Sequence, residues 1–211
     1  MFRTSHIWPL ALAAVVLAAC SNSPEPGNPQ PSSAAGSSAS TSSANSALPY
    51  AGAPQVADPL PVSILSGDPC VDALTADQTR TIFGQVESGG RSDHGALGPT
   101  CGWSNLDSGA SLLVTYDLTH DGLSSVYRGS KPRATVWREV STQSFPAVAY
   151  VTDLGGSKDA FCAISVGVAD SATVDIGLTL SRAKVGKSDP CAVNAQIADL
   201  VIGNLRQKAG S

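Results

Sequence analysis

The residues with the clearest chemistry lie near the N-terminus, in the segment Leu17-Ala18-Ala19-Cys20. An apolar run from Ile7 to Ala19 precedes the cysteine, and Arg3 lies in a short polar region before that run. Small residues that end in a cysteine after such a run are what lipoprotein signal peptidase cleaves and diacylglyceryl transferase modifies. The run is too short to span a bilayer. We therefore expect residues 1–19 to be a lipoprotein signal peptide and Cys20 to be lipidated; an ordinary secretory peptide and an uncleaved anchor are the alternatives.

The other four cysteines form an even set, Cys70, Cys101, Cys162 and Cys191. In an oxidising compartment two disulfides are the expected outcome, and four cysteines allow three pairings. We favour Cys70–Cys101 with Cys162–Cys191, because Asp-Pro-Cys occurs at 68–70 and at 189–191, each time near a predicted helix start. A capped helix start is rigid, so its cysteine can be held at disulfide distance from a strand cysteine. Each bridge would close a loop of about 30 residues and contribute about 3–4 kcal/mol.

Metal ions and other cofactors are not expected, because the chain has no CxxC or HxxxH spacing. Asp117–Gly122 resembles the start of a calcium-binding loop, but position 12 of that loop requires a glutamate and is Arg128 here. Ser181–Lys184 matches the S-x-x-K motif of penicillin-recognising enzymes, yet the S-D-N and K-T-G partner motifs are absent. We therefore interpret the first segment as a turn and the second as a solvated loop.

A catalytic base is the remaining possibility for chemistry in the domain. His94 with Asp93, or His120 with Asp121, has the residue types of a base and its orienting acid in a Ser-His-Asp triad. Both pairs lie in segments that we predict to be polar loops, where a base is poorly positioned. The G-x-S-x-G, H-E-x-x-H, P-loop and G-x-G-x-x-G motifs are absent. The sequence therefore predicts no catalytic residue.

Composition separates a tether from a domain. Residues 20–58 consist almost entirely of Ser, Ala, Pro, Gly, Asn and Gln after Cys20. Such a segment buries too little apolar area to offset its ordering entropy, so we expect a flexible tether and a single globular domain over 59–211. The net charge is −4, and no basic stripe is present. Nucleic acid is therefore excluded as an expected partner.

The elements of the domain follow from caps and periodicity. Thr75 and Gln78 have the form of a capping box and predict a helix over 76–83, whereas 87–99 is rich in Gly, Ser and Asp and is expected to be an exposed loop. A short helix is expected around 122–128, and Ser108-Gly109 predicts a hairpin turn. Apolar alternation predicts strands at 110–118, 134–140, 147–152, 161–168 and 173–180.

The longest predicted helix begins at Asp189 as N-cap, with Pro190 at its first position. Its predicted buried stripe is Val193, Ile197, Leu200, Val201 and Leu205. Aromatic residues are expected mainly in the core: Trp103, beside a half-cystine, Trp137, Tyr116, Tyr127 and Tyr150. Phe145–Val148 is interpreted as a bend that presents apolar groups. Together these elements predict an α+β fold, a mainly antiparallel sheet covered by N- and C-terminal helices and stapled by two disulfides.

The order of these motifs resembles a known family. A lipobox and tether are followed by Asp-Pro-Cys before Ala73-Leu74-Thr75, by Cys101-Gly102-Trp103, by Pro146-Ala147 and by a terminal helix carrying Cys191 and Ala198–Val201. This order resembles the actinobacterial lipoproteins of the domain-of-unknown-function 3558 family. The resemblance implies an exported lipoprotein of a Gram-positive envelope and transfers no catalytic residue.

The expected function is therefore binding. We predict an accessory protein on the extracytoplasmic face of the cell membrane, attached through the acyl anchor on Cys20 and capturing an envelope ligand or protein partner. The alternatives are a hydrolase of envelope polymers with an unrecognised active site and a purely structural spacer or chaperone. Activity-based probes and crosslinking, respectively, discriminate them.

Overall fold

Alternating apolar and polar side chains build one antiparallel sheet of seven strands, in the order β1-β2-β3-β7-β6-β5-β4. The computed structural model describes residues 47–84 and 89–210. A crossover between β3 and β4 carries the chain to the far edge, and the later strands return until β7 pairs with β3. The strands are β1 (Gly90–His94), β2 (Gly98–Asn105), β3 (Ala110–Asp117), β4 (Ala134–Thr142), β5 (Phe145–Thr152), β6 (Phe161–Ala169) and β7 (Ala172–Thr179).

The helices begin where the sequence places their caps. The Thr75 hydroxyl accepts from the backbone N–H of Gln78, and the Gln78 side chain accepts from that of Thr75. The Asp189 carboxylate accepts from the Cys191 N–H at 2.9 Å. These bonds satisfy N–H groups that a helix start leaves unpaired. The helices are α1 (Pro69–Asp72), α2 (Ala76–Phe83), α3 (Gly122–Gly129) and α4 (Pro190–Ala209), with 3₁₀ turns at Val62–Ser66 and Lys131–Arg133.

One face of the sheet, here the core face, is covered by α1, α2 and α4. Its central residues, Val114, Ile176 and Ile164, lie opposite one another on neighbouring strands and are fully or almost fully buried. The Asn194 side chain donates hydrogen bonds from α4 to the carbonyl oxygens of Cys162 and Ile176. These buried bonds fix α4 against β6 and β7, as the expected α+β architecture requires.

The two cysteine pairs join helix starts to strands. Cys70 of α1 is bonded to Cys101 of β2, and Cys162 of β6 is bonded to Cys191 of α4, each with Cα atoms 5.1 Å apart. This is the pairing favoured from the repeated Asp-Pro-Cys. A methyl group placed at Gly89 would lie within 3 Å of both the Trp103 Nε1 and the Cys101 Sγ, so Trp103 packs beside the first bridge as expected.

The other face, here the outer face, is covered only in part. Leu123 and Tyr127 of α3 pack with Val148. Residues 47–58, here the entry segment, also contact the domain, although the sequence places them in the tether. Val56 is buried, and its N–H donates to the Asp170 carboxylate at 2.9 Å. Residues before 59 therefore belong to the packed domain. Composition could not show this, because it depends on single apolar and hydrogen-bonding residues within a polar segment.

Three local expectations are wrong. The predicted loop at 87–99 contains β1, a polar edge strand held by backbone pairing to β2, while residues 85–88 lie outside the described residues. Leu200 is exposed, because the buried stripe of α4 passes through Asn194, Ala198 and Ile202 instead. Phe145–Val148 is not a bend: it begins β5, and Phe145 is buried.

Candidate binding site on the outer face of the sheet

A row of mostly small residues, here the trough, crosses part of the outer face from strand to strand. Tyr150, Ala163, Gly177, Leu113 and Gly102 lie opposite one another on five successive strands. The middle positions carry a methyl group or a hydrogen, and the Phe161 ring of β6 borders them: its Cε2 lies 3.6 Å from where a methyl group at Gly177 would stand. Leu113 is 47% exposed, which is unusual for leucine in the middle of a sheet. The trough therefore has a small-residue floor with larger apolar groups at both ends.

A row of polar side chains, here the polar row, runs beside the trough. Ser165, Asp175, Thr115 and Thr100 are cross-strand neighbours on β6, β7, β3 and β2. The Thr100 and Thr115 hydroxyls are 3.0 Å apart, and the Ser165 hydroxyl is 3.3 Å from that of Tyr150. All three of these Ser and Thr side chains belong to buried residues. A buried polar row on a sheet face is costly unless its groups are satisfied.

Asp175 is the group in this row that is not fully satisfied. Its Oδ2 accepts from the Thr173 hydroxyl at 3.2 Å, but its Oδ1 is buried without a hydrogen-bond partner. Burial raises the pKa of Asp175 to about 6; the nearby Asp117 carboxyl adds to the rise, and the Ser165 and Thr173 hydroxyls oppose it. A carboxyl group with one unpaired oxygen can accept a hydrogen bond or hold a proton.

Asp117 is the last residue of β3, at the end of the polar row, and His120 follows three residues later. His120 Nδ1 is 2.6 Å from Asp117 Oδ2, whereas the predicted partner, Asp121, accepts from the Tyr50 hydroxyl at 2.7 Å. The expected His120–Asp121 pair is therefore wrong, because the Asp117 carboxylate, three residues back, accepts from the backbone N–H groups of Thr119 and His120 and so lies beside the His120 ring. Asp93 bonds to Arg91, and the His94 side chain is not among those that the structure describes.

An aromatic corner closes the trough at the β4 edge. Trp137 lies opposite Tyr150 with ring centroids 5.9 Å apart, and it meets Tyr127 of α3 edge to face at 5.0 Å. Burial raises the pKa of Tyr127 to about 12, and the Glu139 carboxylate nearby contributes. Hydrogen bonds to the Glu139 carboxylate lower its pKa, and the bond from Lys131 has the largest effect. Trp137 and Tyr150 are only half-buried, so the aromatic expectation of core packing holds for Trp103, Tyr116 and Tyr127 but only in part for these two.

A groove lies beside the entry segment. The groove, of about 420 Å³, is bordered by Val56–Pro61, by the β4–β5 turn at Gln143 and Ser144, and by Arg206 of α4. Arg206 makes an interaction of its own within the domain. The groove has no buried group left unpartnered among its lining residues, whereas the trough adjoins one.

The sequence names the aromatic part of this site but misses its polar part. Asp175 and Ser165 lie in strands with alternating apolar and polar residues. The sequence indicates only that each of them falls on the non-core face of its strand, and it does not show that they lie side by side. Among residues 47–84 and 89–210, no group of three or more His, Cys, Asp or Glu side chains is arranged to hold a metal ion. In the same ranges, no helix has the length and hydropathy of a membrane span.

Comparison with known proteins gives one match. A family model described as "Protein of unknown function (DUF3558)" matches residues 15–204. No curated protein and no solved structure matches.

Proposed function

The chain belongs to the DUF3558 family, and from this premise we propose that it is an exported, lipid-anchored protein of an actinobacterial envelope whose domain binds a ligand at the trough of the outer face. The single observation that carries the binding proposal is Asp175 Oδ1, a buried carboxylate oxygen without a hydrogen-bond partner on the partly covered face of the sheet. Leaving such an oxygen unpaired costs about 1–3 kcal/mol, which a donor group on a ligand recovers.

The anchoring part of the proposal rests on Leu17–Cys20. The matched range begins at residue 15 and includes this segment, so the lipobox and the domain fall in one family pattern. Two or more acyl chains on Cys20 would hold the protein stably on a membrane. In cells, the Cys20→Ser variant is expected to leave washed membranes for the soluble fraction, and its retention on membranes would contradict the lipid anchor.

The binding part is tested by native mass spectrometry of the full chain extracted in detergent from its own membranes, compared with the denatured mass. An excess mass in the wild type that is lost in Asp175→Asn is expected, because an amide cannot accept in the same way as a carboxylate. Asp153→Asn is the matched control, since Asp153 is an exposed residue in the loop after β5. An apo mass in the wild type would overturn ligand capture and favour a protein partner, which crosslinking in cells would then identify.

Hydrolysis of an envelope polymer is the second candidate, and one observation favours it. The 2.6 Å contact from Asp117 to His120 orients an imidazole at the end of the polar row, near the Asp175 carboxyl. An oriented histidine of this kind is the usual general base. Labelling of the full chain by a serine-directed activity probe, lost in His120→Ala, would establish this candidate in place of non-catalytic binding.

A further inference from the structure

The aromatic corner already holds an ammonium group. The Nζ of Lys131 lies 4.7 Å from the centroid of the Tyr127 ring and 5.3 Å from that of Trp137. It also donates to Glu139 Oε1 at 3.2 Å, and that same oxygen accepts from the Trp137 indole at 3.4 Å. Two perpendicular rings and a carboxylate therefore surround one cation, and we refer to Tyr127, Trp137 and Glu139 as the cation box.

The two rings of the box are more firmly held than its occupant, whereas the Glu139 side chain is 59% exposed. Tyr127 is buried in α3 against Val148, and Trp137 lies in a strand whose backbone is paired to β5. Lys131 belongs to the short 3₁₀ turn after α3, and its side chain is 46% exposed. A lysine side chain has several freely rotating bonds, so its ammonium group can leave while the rings stay in place.

We propose that the cation box is the subsite for a positively charged organic ammonium group of the ligand, and that Lys131 is its built-in competitor. This inference rests on the proposed function, since it names the chemistry that one end of the trough recognises. The faces of Tyr and Trp attract ammonium and quaternary ammonium groups through their quadrupoles, and Glu139 supplies the compensating charge. The box continues into the trough through the Trp137–Tyr150 contact, so a ligand that places its cation here can extend past Tyr150 towards Ala163, as far as the Phe161 ring that borders Gly177.

Lys131 sets the apparent affinity, because it is tethered beside the box at a high effective concentration. A ligand cation must displace it before it can bind. Removing the lysine side chain empties the box, keeps the packing of both rings and leaves Glu139 with its bond from the Trp137 indole. The variant is therefore expected to bind small cations more tightly than the wild type does. A merely structural Lys131 would give the opposite result, since its loss would loosen the two rings.

The test uses the full chain in a non-ionic detergent, titrated with choline as a quaternary ammonium probe and with butylamine as a primary one. The indole N–H resonance of Trp137, assigned through Trp137→Phe, reports binding, and that of the buried Trp103 is the internal reference. For one or both probes, Lys131→Ala is expected to lower the Kd about tenfold. Lys158→Ala is the matched control, because Lys158 is likewise exposed and paired with an acid, Asp159, at 3.0 Å.

Glu139→Gln in the Lys131→Ala background is expected to weaken binding about threefold or more, because it removes the compensating charge while keeping the shape of the side chain. Tighter binding of choline only, or of butylamine only, supports the proposal and identifies the kind of ammonium. Equal Kd values in Lys131→Ala and Lys158→Ala would overturn it. This negative result would not change the outcome of the native mass spectrometry test, in which Asp175→Asn is expected to lose the bound ligand. The cation box and the proposed function are therefore tested separately.

Discussion

The hydroxyl of Tyr50 donates a hydrogen bond to Oδ2 of Asp121 at 2.7 Å, across 71 positions of sequence. The Tyr50 backbone N–H donates to the Ser124 hydroxyl at 2.9 Å, and the Arg128 guanidinium lies 5.1 Å from the centre of the Tyr50 ring. All three partners belong to α3 or its N-cap. The entry segment is therefore fastened to the helix that covers part of the outer face.

The entry segment is predicted to stabilise the domain. We expect the unfolding free energy of a protein that begins at residue 59 to be about 2–4 kcal/mol lower than that of one that begins at residue 47. The shorter protein lacks the buried Val56 side chain and the two hydrogen bonds that the backbone N–H groups of Tyr50 and Val56 donate. Urea denaturation of the two proteins measures the difference. Val56→Ala in the longer protein should reproduce part of the loss, and equal midpoints for both lengths would show that the segment contributes nothing.

Gly122 is predicted to be irreplaceable at the start of α3. Its φ is +53°, and a methyl group there would lie 2.3 Å from the Asp170 carbonyl oxygen. We expect Gly122→Ala to lower the unfolding free energy by about 2 kcal/mol or more, because α3 must then move away from the β6–β7 turn. Thermal denaturation provides the measurement. The control is Gly203→Ala within α4, where a methyl group meets nothing within 4 Å, and we expect a gain of about 0.5–1 kcal/mol.

The sequence predicts those features whose interacting residues lie close together along the chain, and it does not predict those that join distant segments. The caps at Thr75 and Asp189 lie within three residues of the groups that they bind, and both helices begin where predicted. The pairing of β3 with β7 depends on the crossover through α3 and has no local signal. The surroundings of Asp175 are likewise assembled from other strands, so only the alternation of β7, and not the site, could be predicted.

Asp175 is predicted to make stability depend on pH. Burial raises the pKa of Asp175 to about 6, above the value of about 3.9 in an unfolded chain. The native state therefore holds the proton more tightly, and this contribution to stability is complete below about pH 4 and is lost as the pH rises through about 6. Wild-type protein should lose about 1–3 kcal/mol between these limits from this group, and Asp175→Asn should not.

The measurement is urea denaturation of both proteins at pH 4.5 and pH 7.5. The informative quantity is the change between the two pH values, because other groups contribute equally in both proteins. Asp153→Asn should keep the wild-type change, since the Asp175 carboxyl is still present. If wild type and Asp175→Asn changed by the same amount, the buried carboxyl would not titrate in this range.

The β4–β5 turn beside the groove is predicted to carry backbone strain that a substitution can relieve. Gln143 and Ser144 have φ of 50° and 73°, and Thr142 pairs with Phe145 on either side of them. Positive φ at both central positions is the type I′ hairpin geometry, which favours Asn-Gly and costs side chains with a Cβ about 1–2 kcal/mol each. Gln143→Asn combined with Ser144→Gly should raise the Tm by about 2–8 °C in a thermal scan. Ser144→Ala keeps the Cβ and is expected to give no gain, so an equal rise in both proteins would trace the effect to the loss of polar groups instead of to the backbone.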